Sequence, residues 1–451
     1  MSNERSGFSS RLGFVLATAG SAVGLGNIWR FPYLAAKYGG GTFLLTYLIL
    51  TLTFGFSLMI TEVALGRKAG TSAIRAFGHF SKKHTFIGYL TTIIPFIIFP
   101  YYCVIGGWVT KYALISLQGG IHNAASDTFF TGFISKSAEP MICVLVFLIA
   151  TTVVVAGGVK GGVERVSTIM MPVLIVLLIG VSLFCITRPG AMAGVAYYLK
   201  PSLKGFGPTT ILAALGQLFY SMSLAMGIMI TFGSYMPKKA DLEKSVTQVE
   251  IFDTGVAFLA GLMIVPAVFV FSNGDSSMLA KGPSLMFVML PKVFDSMAFS
   301  SVIAAVFFIL VLLAALTSSI SLLETLVAVL MDKFHMKRGT ACITMFIIAL
   351  LLAVPSSLGF GAWSNITILG FDFLDFFDFM TNSVMMPLAA LATCFLVTKV
   401  VGFDRIAKEI EQSSKFGRKK LYNFFLKYLA PICLIVILLS SIANVLGIIS
   451  M

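Results

Sequence analysis

Gly20-Ser21-Ala22-Val23-Gly24-Leu25-Gly26-Asn27 interrupts an apolar run that otherwise extends over residues 12–36. Three glycines within seven residues disfavour a continuous helix by roughly 1 kcal/mol each relative to alanine. A second interruption, Ser221-Met222-Ser223-Leu224-Ala225-Met226-Gly227, lies roughly 200 residues later, inside the run 208–236. Backbone groups released in hydrocarbon must find partners, because each unpaired one costs several kcal/mol. Carbonyls that end a first half-helix can hold a cation, and amides that open the second half attract an anion. A zwitterion accompanied by a cation suits both ends. Interrupted helices at matching positions in two halves point to a transporter's binding site. The alternative is that these small residues only let neighbouring helices pack closely.

The surrounding chain fits a membrane setting. Of its 451 residues, 58% are hydrophobic and 11% charged, with a mean hydropathy of +0.96, too little charge to wet a soluble surface of this size. Apolar runs near 12–36, 41–65, 86–118, 141–157, 165–187, 208–236, 250–271, 300–331, 339–355, 376–399 and 425–448 have the length that crosses a hydrocarbon core of about 30 Å. The expectation is an all-α membrane protein with eleven transmembrane helices in one transporter domain over 1–451. Helices one to five (12–187) and six to ten (208–399) form a 5+5 inverted repeat with broken helices one and six, and an eleventh helix (425–448) lies outside it.

The net charge of +13 records topology rather than an affinity for nucleic acid. With a cytoplasmic N-terminus, 23 of the 32 Lys and Arg fall in inside loops and six in outside loops, the positive-inside pattern. The chain is therefore expected in the cell membrane as a multi-pass protein with an extracytoplasmic C-terminus. The first run contains Asn27 and Arg30, lacks a small-residue cleavage site, and does not read as a signal peptide. All six cysteines sit in apolar runs without paired loop spacing, as packing residues do. No nucleophile–base pair or His/Cys metal cluster occurs in the spans, so an enzyme is not expected.

Further motifs extend the first. Arg11-Leu12-Gly13-Phe14 and Arg30-Phe31-Pro32 flank it. Then come Gly39-Gly40-Gly41, Glu62 with Gly66-Arg67, Tyr101-Tyr102 with Trp108, Gly216-Gln217, Leu316-Thr317-Ser318-Ser319, and Asp375 with Asp378. In this order, across residues 5–450, the sequence resembles the neurotransmitter:sodium symporter family, in its bacterial amino-acid branch.

The resemblance implies a sodium-coupled amino-acid symporter working by alternating access, with two Na⁺ sites. One is a cage of the Ala22 carbonyl, Asn27, Ser221 and Asp253, closed by the substrate's carboxylate. The other comprises the Gly20, Val23 and Ala314 carbonyls with the Thr317 and Ser318 hydroxyls. Hard oxygen donors suit an alkali cation, although Ser and Thr also bond their own helix carbonyls. The substrate carboxylate meets the Leu25 and Gly26 amides and the Tyr102 hydroxyl; its amino group faces carbonyls near Ala22, Tyr220 and Ser221. Its side chain meets Ser21, Ile98, Tyr220, Ser223, Met226 and Leu322, with Ser318 alongside. Monoamine members carry an aspartate where this chain has Gly24, so the ligand is expected to bring its own carboxylate. Flexible Met226 and aromatic Tyr220 favour a large hydrophobic or aromatic amino acid; simple helix packing is the other reading of Met226 and Leu322.

Ionisable residues deep in a bilayer are costly and mark function. Many relatives hold chloride with a tyrosine, a glutamine and serines. This chain has Tyr47, Gln217 and Ser221 but Ala257 in place of one serine, and Asp253 where asparagine is common. A fixed carboxylate can replace that anion, since opposite charges at about 4 Å attract by on the order of 4 kcal/mol at an effective dielectric of 20. Transport without chloride is expected. An empty carrier must also return with Asp253 buried and unpaired, and a proton taken up there gives counter-transport. Arg30 and Asp378 resemble an outer gate; Arg5 and Asp332 resemble an inner one, where Arg5 also reads as an ordinary positive-inside charge. Phe8 replaces a tryptophan at that gate, Tyr235 braces it, and Glu62 bonds the broken sixth helix. Lys111 and Glu324 are read as snorkelling or making internal polar contacts. The competing functions are a proton-coupled permease of the same fold and a transport-silent amino-acid sensor.

Overall fold

The computed structural model describes residues 7–202, 206–272 and 284–445. Among them there is no strand, only an isolated bridge between Ile368 and Phe371. The first apolar run forms α1 (Arg11–Ala22) and α2 (Gly26–Lys37), bent by 55° at the intervening residues. Then follow α3 (Gly41–Ala69), α4 (Lys82–Leu117), α5 (Ala138–Ala156) and α6 (Val159–Ile186). The run 208–236 is divided into α7 (Pro208–Ser221) and α8 (Ile228–Tyr235). Further along lie α9 (Leu242–Phe271), α10 (Ser300–Phe334), α11 (Arg338–Leu358), α12 (Phe373–Val401), the short α13 (Phe403–Glu411) and α14 (Lys419–Ala443), with shorter helical pieces in the connections.

Nine of these helices are long and apolar enough to cross a membrane, or ten with α1 and α2 taken as one span. The eleventh expected span is the α7–α8 pair, whose pieces of 14 and 8 residues are separately too short.

Polar caps, which hydropathy does not register, set several helix starts. The Ser10 hydroxyl accepts from the Gly13 amide at 3.0 Å and opens α1. Asp241 does the same for Lys244 at 2.9 Å, so α9 begins eight residues ahead of the apolar run at 250. Asp372 caps α12 at the Asp375 amide, 2.8 Å away. Each satisfies an amide that the helix cannot pair itself.

Outward faces are apolar. On α5, Ile142, Val146, Ile149 and Val153 are all exposed, and on α6 so are Ile169, Val173 and Val176. Their three- and four-residue spacing is a single helical stripe, the face expected against lipid. Inside, association depends on close packing rather than hydrophobicity. A Cβ on Gly66 of α3 would lie 1.9 Å from the Ile230 carbonyl oxygen, and one on Gly233 of α8 would lie 2.4 Å from that of Val63. Helices α3 and α8 therefore touch backbone to backbone. The first break is enclosed by α6, α9 and α10, on which α1 packs.

Candidate functional site

At the first break the helix ends in an extended residue, Val23 (φ −75°, ψ 100°). The chain then turns back into helix, with the Asn27 side-chain oxygen accepting from the Gly24 amide at 3.1 Å. Asn27 Nδ2 donates to Asp253 Oδ1 at 2.7 Å and to the Asp253 carbonyl at 3.2 Å. Ser221, the last residue of α7, donates to the same Oδ1 at 2.7 Å, while the Tyr47 hydroxyl donates to Oδ2 at 3.1 Å. Asp253 is completely buried, so these three donors are its compensation within the protein. Asn27, Ser221 and Asp253 thus meet at one carboxylate, and Ala22 lines the cavity beside them.

On the other side of α1, oxygens gather around residues 317 and 318 of α10. The Thr317 hydroxyl lies 3.0 Å from the Ala314 carbonyl and 3.5 Å from that of Val23. Ser318 Oγ lies 3.3 Å from the Val23 carbonyl and 3.5 Å from that of Gly20. A hard cation holding oxygens at about 2.3–2.6 Å places octahedral neighbours about 3.3–3.7 Å apart. Four of these five groups have lost their ordinary helical partners to the break or point out of α10 into it. Thr317 also bonds Leu313 and Ala314 within its own helix, so both readings of that hydroxyl apply to it at once.

The second break, 222–227, is longer and more contorted. Ser223 and Ala225 have φ of 52° and 62°, and Gly227 has 72°. Left-handed backbone strains Ser and Ala, and the neighbours hold it in place. Glu62 accepts from the Ala225 amide at 2.8 Å, the role expected of it. The Ser223 hydroxyl donates to the Ser21 carbonyl at 3.0 Å, tying the two breaks together.

Between the breaks lies a cavity of about 390 Å³ of space between atoms. The cavity is narrow. Ser21, Ala22, Leu25, Gly26, Ile98, Tyr102, Tyr220, Ser221, Ser223, Met226, Ser318 and Leu322, all singled out above, line it together with Gly24, Asn27 and Ile228. The Tyr102 hydroxyl is buried beside the Leu25 amide and the Ser318 hydroxyl, with no hydrogen bond of ordinary length and angle to either. Gly24 faces it: a Cβ there would stand 2.5 Å from Ser318 Oγ and 3.2 Å from the Tyr102 oxygen.

The two ends of this cavity differ. Toward Arg30, a second cavity of about 720 Å³ of atom-free space is lined by Trp29, Arg30, Tyr33, Tyr220, Asp375 and Asp378. Arg30 lies over the Tyr220 ring at 5.3 Å, and Asp378 accepts from Tyr101 at 3.2 Å and Asn382 at 2.6 Å. Among the described residues no ion pair within 4.0 Å joins Arg30 to Asp378. Toward Phe8 the described residues pack closely. The Phe8 amide donates to the Tyr235 carbonyl at 3.0 Å, and its ring packs on Phe14, Phe232 and Tyr235. Asp332 accepts from the Ser72 amide at 2.7 Å; its expected partner Arg5 lies outside the described residues. Tyr235 donates to Glu324 at 2.8 Å, and Arg338 pairs with Glu324 at 2.7 Å. Glu324 therefore makes an internal contact, and Lys111 pairs with Glu139 at 2.5 Å.

Some contacts escape a reading of the sequence alone. Glu164 of α6 accepts from the Ser9 amide and hydroxyl at 2.8 and 2.5 Å, fixing the start of α1. Arg67 forms a buried pair with Glu409 at 3.0 Å, joined by Lys238 at 3.1 Å. Gln217 donates to the Gly26 carbonyl at 2.9 Å. Glu250, buried on α9, meets Arg418 at 3.4 Å. A carboxylate three residues before Asp253 was the one signal that could have been read for Glu250.

The sequence pattern of the sodium:neurotransmitter symporter family matches residues 5–132 and 128–448. An uncharacterized sodium-dependent transporter, YhdH of Bacillus subtilis, is 34% identical over 450 residues, covering 98% of both chains. The sodium- and chloride-dependent GABA transporter 2 of Homo sapiens is 27% identical over 380 residues, 73% of this chain and 62% of its own. Among solved structures, that of MhsT in complex with L-phenylalanine matches with a TM-score of 0.88 at 38% identity, covering 97% of this chain and all of the other.

Proposed function

The chain belongs to the sodium:neurotransmitter symporter family, and we propose that it imports a neutral, large hydrophobic or aromatic amino acid with Na⁺ and without chloride. One observation carries this reading. A single narrow cavity joins a buried, unpartnered tyrosine hydroxyl, the backbone of two broken helices and a carboxylate cage. In it, Tyr102 and the amides of Leu25 and Gly26 hold the substrate's carboxylate. Asn27, Ser221, Asp253 and the Ala22 carbonyl hold one Na⁺ against it. Gly20, Val23, Ala314, Thr317 and Ser318 hold the second, bracing α1 against α10. The related structure with phenylalanine supports a substrate of this class, and the apolar wall of Ile98, Met226 and Leu322 supports its large side chain.

The cycle begins with the Arg30 end accessible and the Phe8 end sealed. Substrate binding draws α2 toward α12 and brings Arg30 to Asp378. Release then requires parting the Phe8–Tyr235 contact. Two sodium ions crossing 100 mV supply about 4.6 kcal/mol, roughly a thousandfold accumulation. The 5+5 inverted repeat, with its breaks in the first and sixth helices, is the architecture we assign to this motion.

Chloride independence rests on Asp253. Tyr47 and Ser221, donors that the family resemblance links to chloride, both donate to its carboxylate here. The position for another serine is buried Ala257. A scintillation-proximity screen of the twenty amino acids tests the substrate reading. Leucine, tyrosine or tryptophan is expected to bind best and only with Na⁺; tighter binding of glycine or proline, or binding indifferent to Na⁺, overturns it. In vesicles, uptake is expected to survive replacement of chloride by gluconate. Asp253→Asn with Ala257→Ser is expected to make uptake chloride-dependent, and uptake by the unaltered protein that vanishes in gluconate refutes the assignment.

A further inference from the structure

On α9, Glu243, Thr247, Glu250 and Asp253 follow one another at intervals of four, three and three residues, so they share a face of the helix. The stripe leads from the capped start of α9 to the carboxylate that Asn27, Ser221 and Tyr47 surround. Glu250 is the member without an assigned task. It is 1% exposed, and one of its oxygens, Oε1, is buried without a hydrogen-bond partner among the described residues. An ionisable group at such a place is expensive and calls for a functional account.

The other oxygen, Oε2, faces Arg418, whose Nη2 and Nη1 lie 3.4 and 3.5 Å away. Arg418 belongs to the connection between α13 and α14, and it is held firmly. The Gly417 and Arg418 amides donate to Glu243 at 2.7 and 3.1 Å, and Arg418 Nη2 also donates to Thr247. Its guanidinium lies 3.3 Å from the centre of the Phe56 ring on α3. A fixed cation therefore covers Glu250 from the Phe8 end of the molecule, while Asp253 stands one turn further in, about 4.5 Å along the axis.

We infer that Glu250 and Arg418 form a charge pair that tunes how strongly the Asp253 cage holds its cation. This rests on Asp253 being a sodium ligand. A carboxylate one turn away adds attraction for a cation in the cage, and Arg418 offsets it. Removing the two partners one at a time therefore moves sodium affinity in opposite directions, which loss of a purely structural contact does not do. The connection carrying Arg418 thereby reaches the ion site without touching it.

Radioactive Na⁺ binding to the purified full-length protein is the test, measuring the component that Asp253→Ala removes. Glu250→Gln is expected to raise the half-saturating Na⁺ concentration about tenfold and Arg418→Gln to lower it about threefold. The double variant is expected to fall between the two, about threefold above the starting value. Arg418→Lys keeps the charge and is expected to bind as the unaltered protein does. Shifts of the two single variants in the same direction, or a double variant worse than either, overturn the inference and leave the sodium site standing. Should Arg418→Gln fail to fold, a half-saturation unchanged or lowered in Glu250→Gln overturns it alone. A protein with no Na⁺ component sensitive to Asp253→Ala overturns the sodium-site reading, and this inference with it.

Discussion

The two breaks solve one problem by different means. The first needs only three residues, 23–25, between α1 and α2. It is made locally, by an extended Val23 and by glycines whose missing side chains leave room for Ser318, Tyr102 and Tyr220. The second takes six residues and forces Ser223 and Ala225 into left-handed backbone, at about 1–2 kcal/mol each. That strain persists because Glu62 and Ser21 catch the distorted segment from outside. One break is written into its own residues; the other is imposed by its neighbours.

Three substitutions sharpen the contrast, in descending order of effect. Gly24→Ala puts a methyl 2.5 Å from Ser318 Oγ and against the Tyr102 hydroxyl. Since misplacement by about 1 Å can cost a hundredfold, amino-acid uptake is expected to fall by about that factor, with stability changed less. Glu62→Ala attacks the second break from its support. It strands the Ala225 amide, a loss of about 1–3 kcal/mol, and opens a cavity besides. The expected total is about 3 kcal/mol, read as a lowered thermal midpoint in detergent, with uptake falling about tenfold. Ala225→Gly should do the reverse. It relieves left-handed strain without removing a polar contact, and a gain of about 1 kcal/mol in stability is expected. An Ala225→Gly protein less stable than its parent would mean that the second break is not strained, and the contrast would collapse.

The same contrast explains what could be read in advance. The first break was legible because glycine is a local signal, and the twelve residues assigned to the substrate do line one cavity. The second was legible only as a polar interruption, since neither Ser223 nor Ala225 announces positive φ. Hydropathy found the long apolar helices but not their starts, because Asp241 and Asp372 cap them through one backbone amide each. Arg67–Glu409 and Glu250–Arg418 join residues 342 and 168 positions apart, and no spacing rule reaches that far. Glu324 read as snorkelling or as an internal polar contact, and Arg338 as its partner emerges only when α10 and α11 stand side by side.

The close backbone approach of Gly66 to Ile230 and of Gly233 to Val63 has a mechanical corollary. With no side-chain layer between them, α3 and α8 lie too close to slide past one another and are expected to move as one beam. Whatever displacement the transport cycle demands of α8 is then delivered to the whole of α3, and rotation between α7 and α8 is confined to residues 222–227. The strained segment acts as a fulcrum, and its stiffness sets how far the beam can swing.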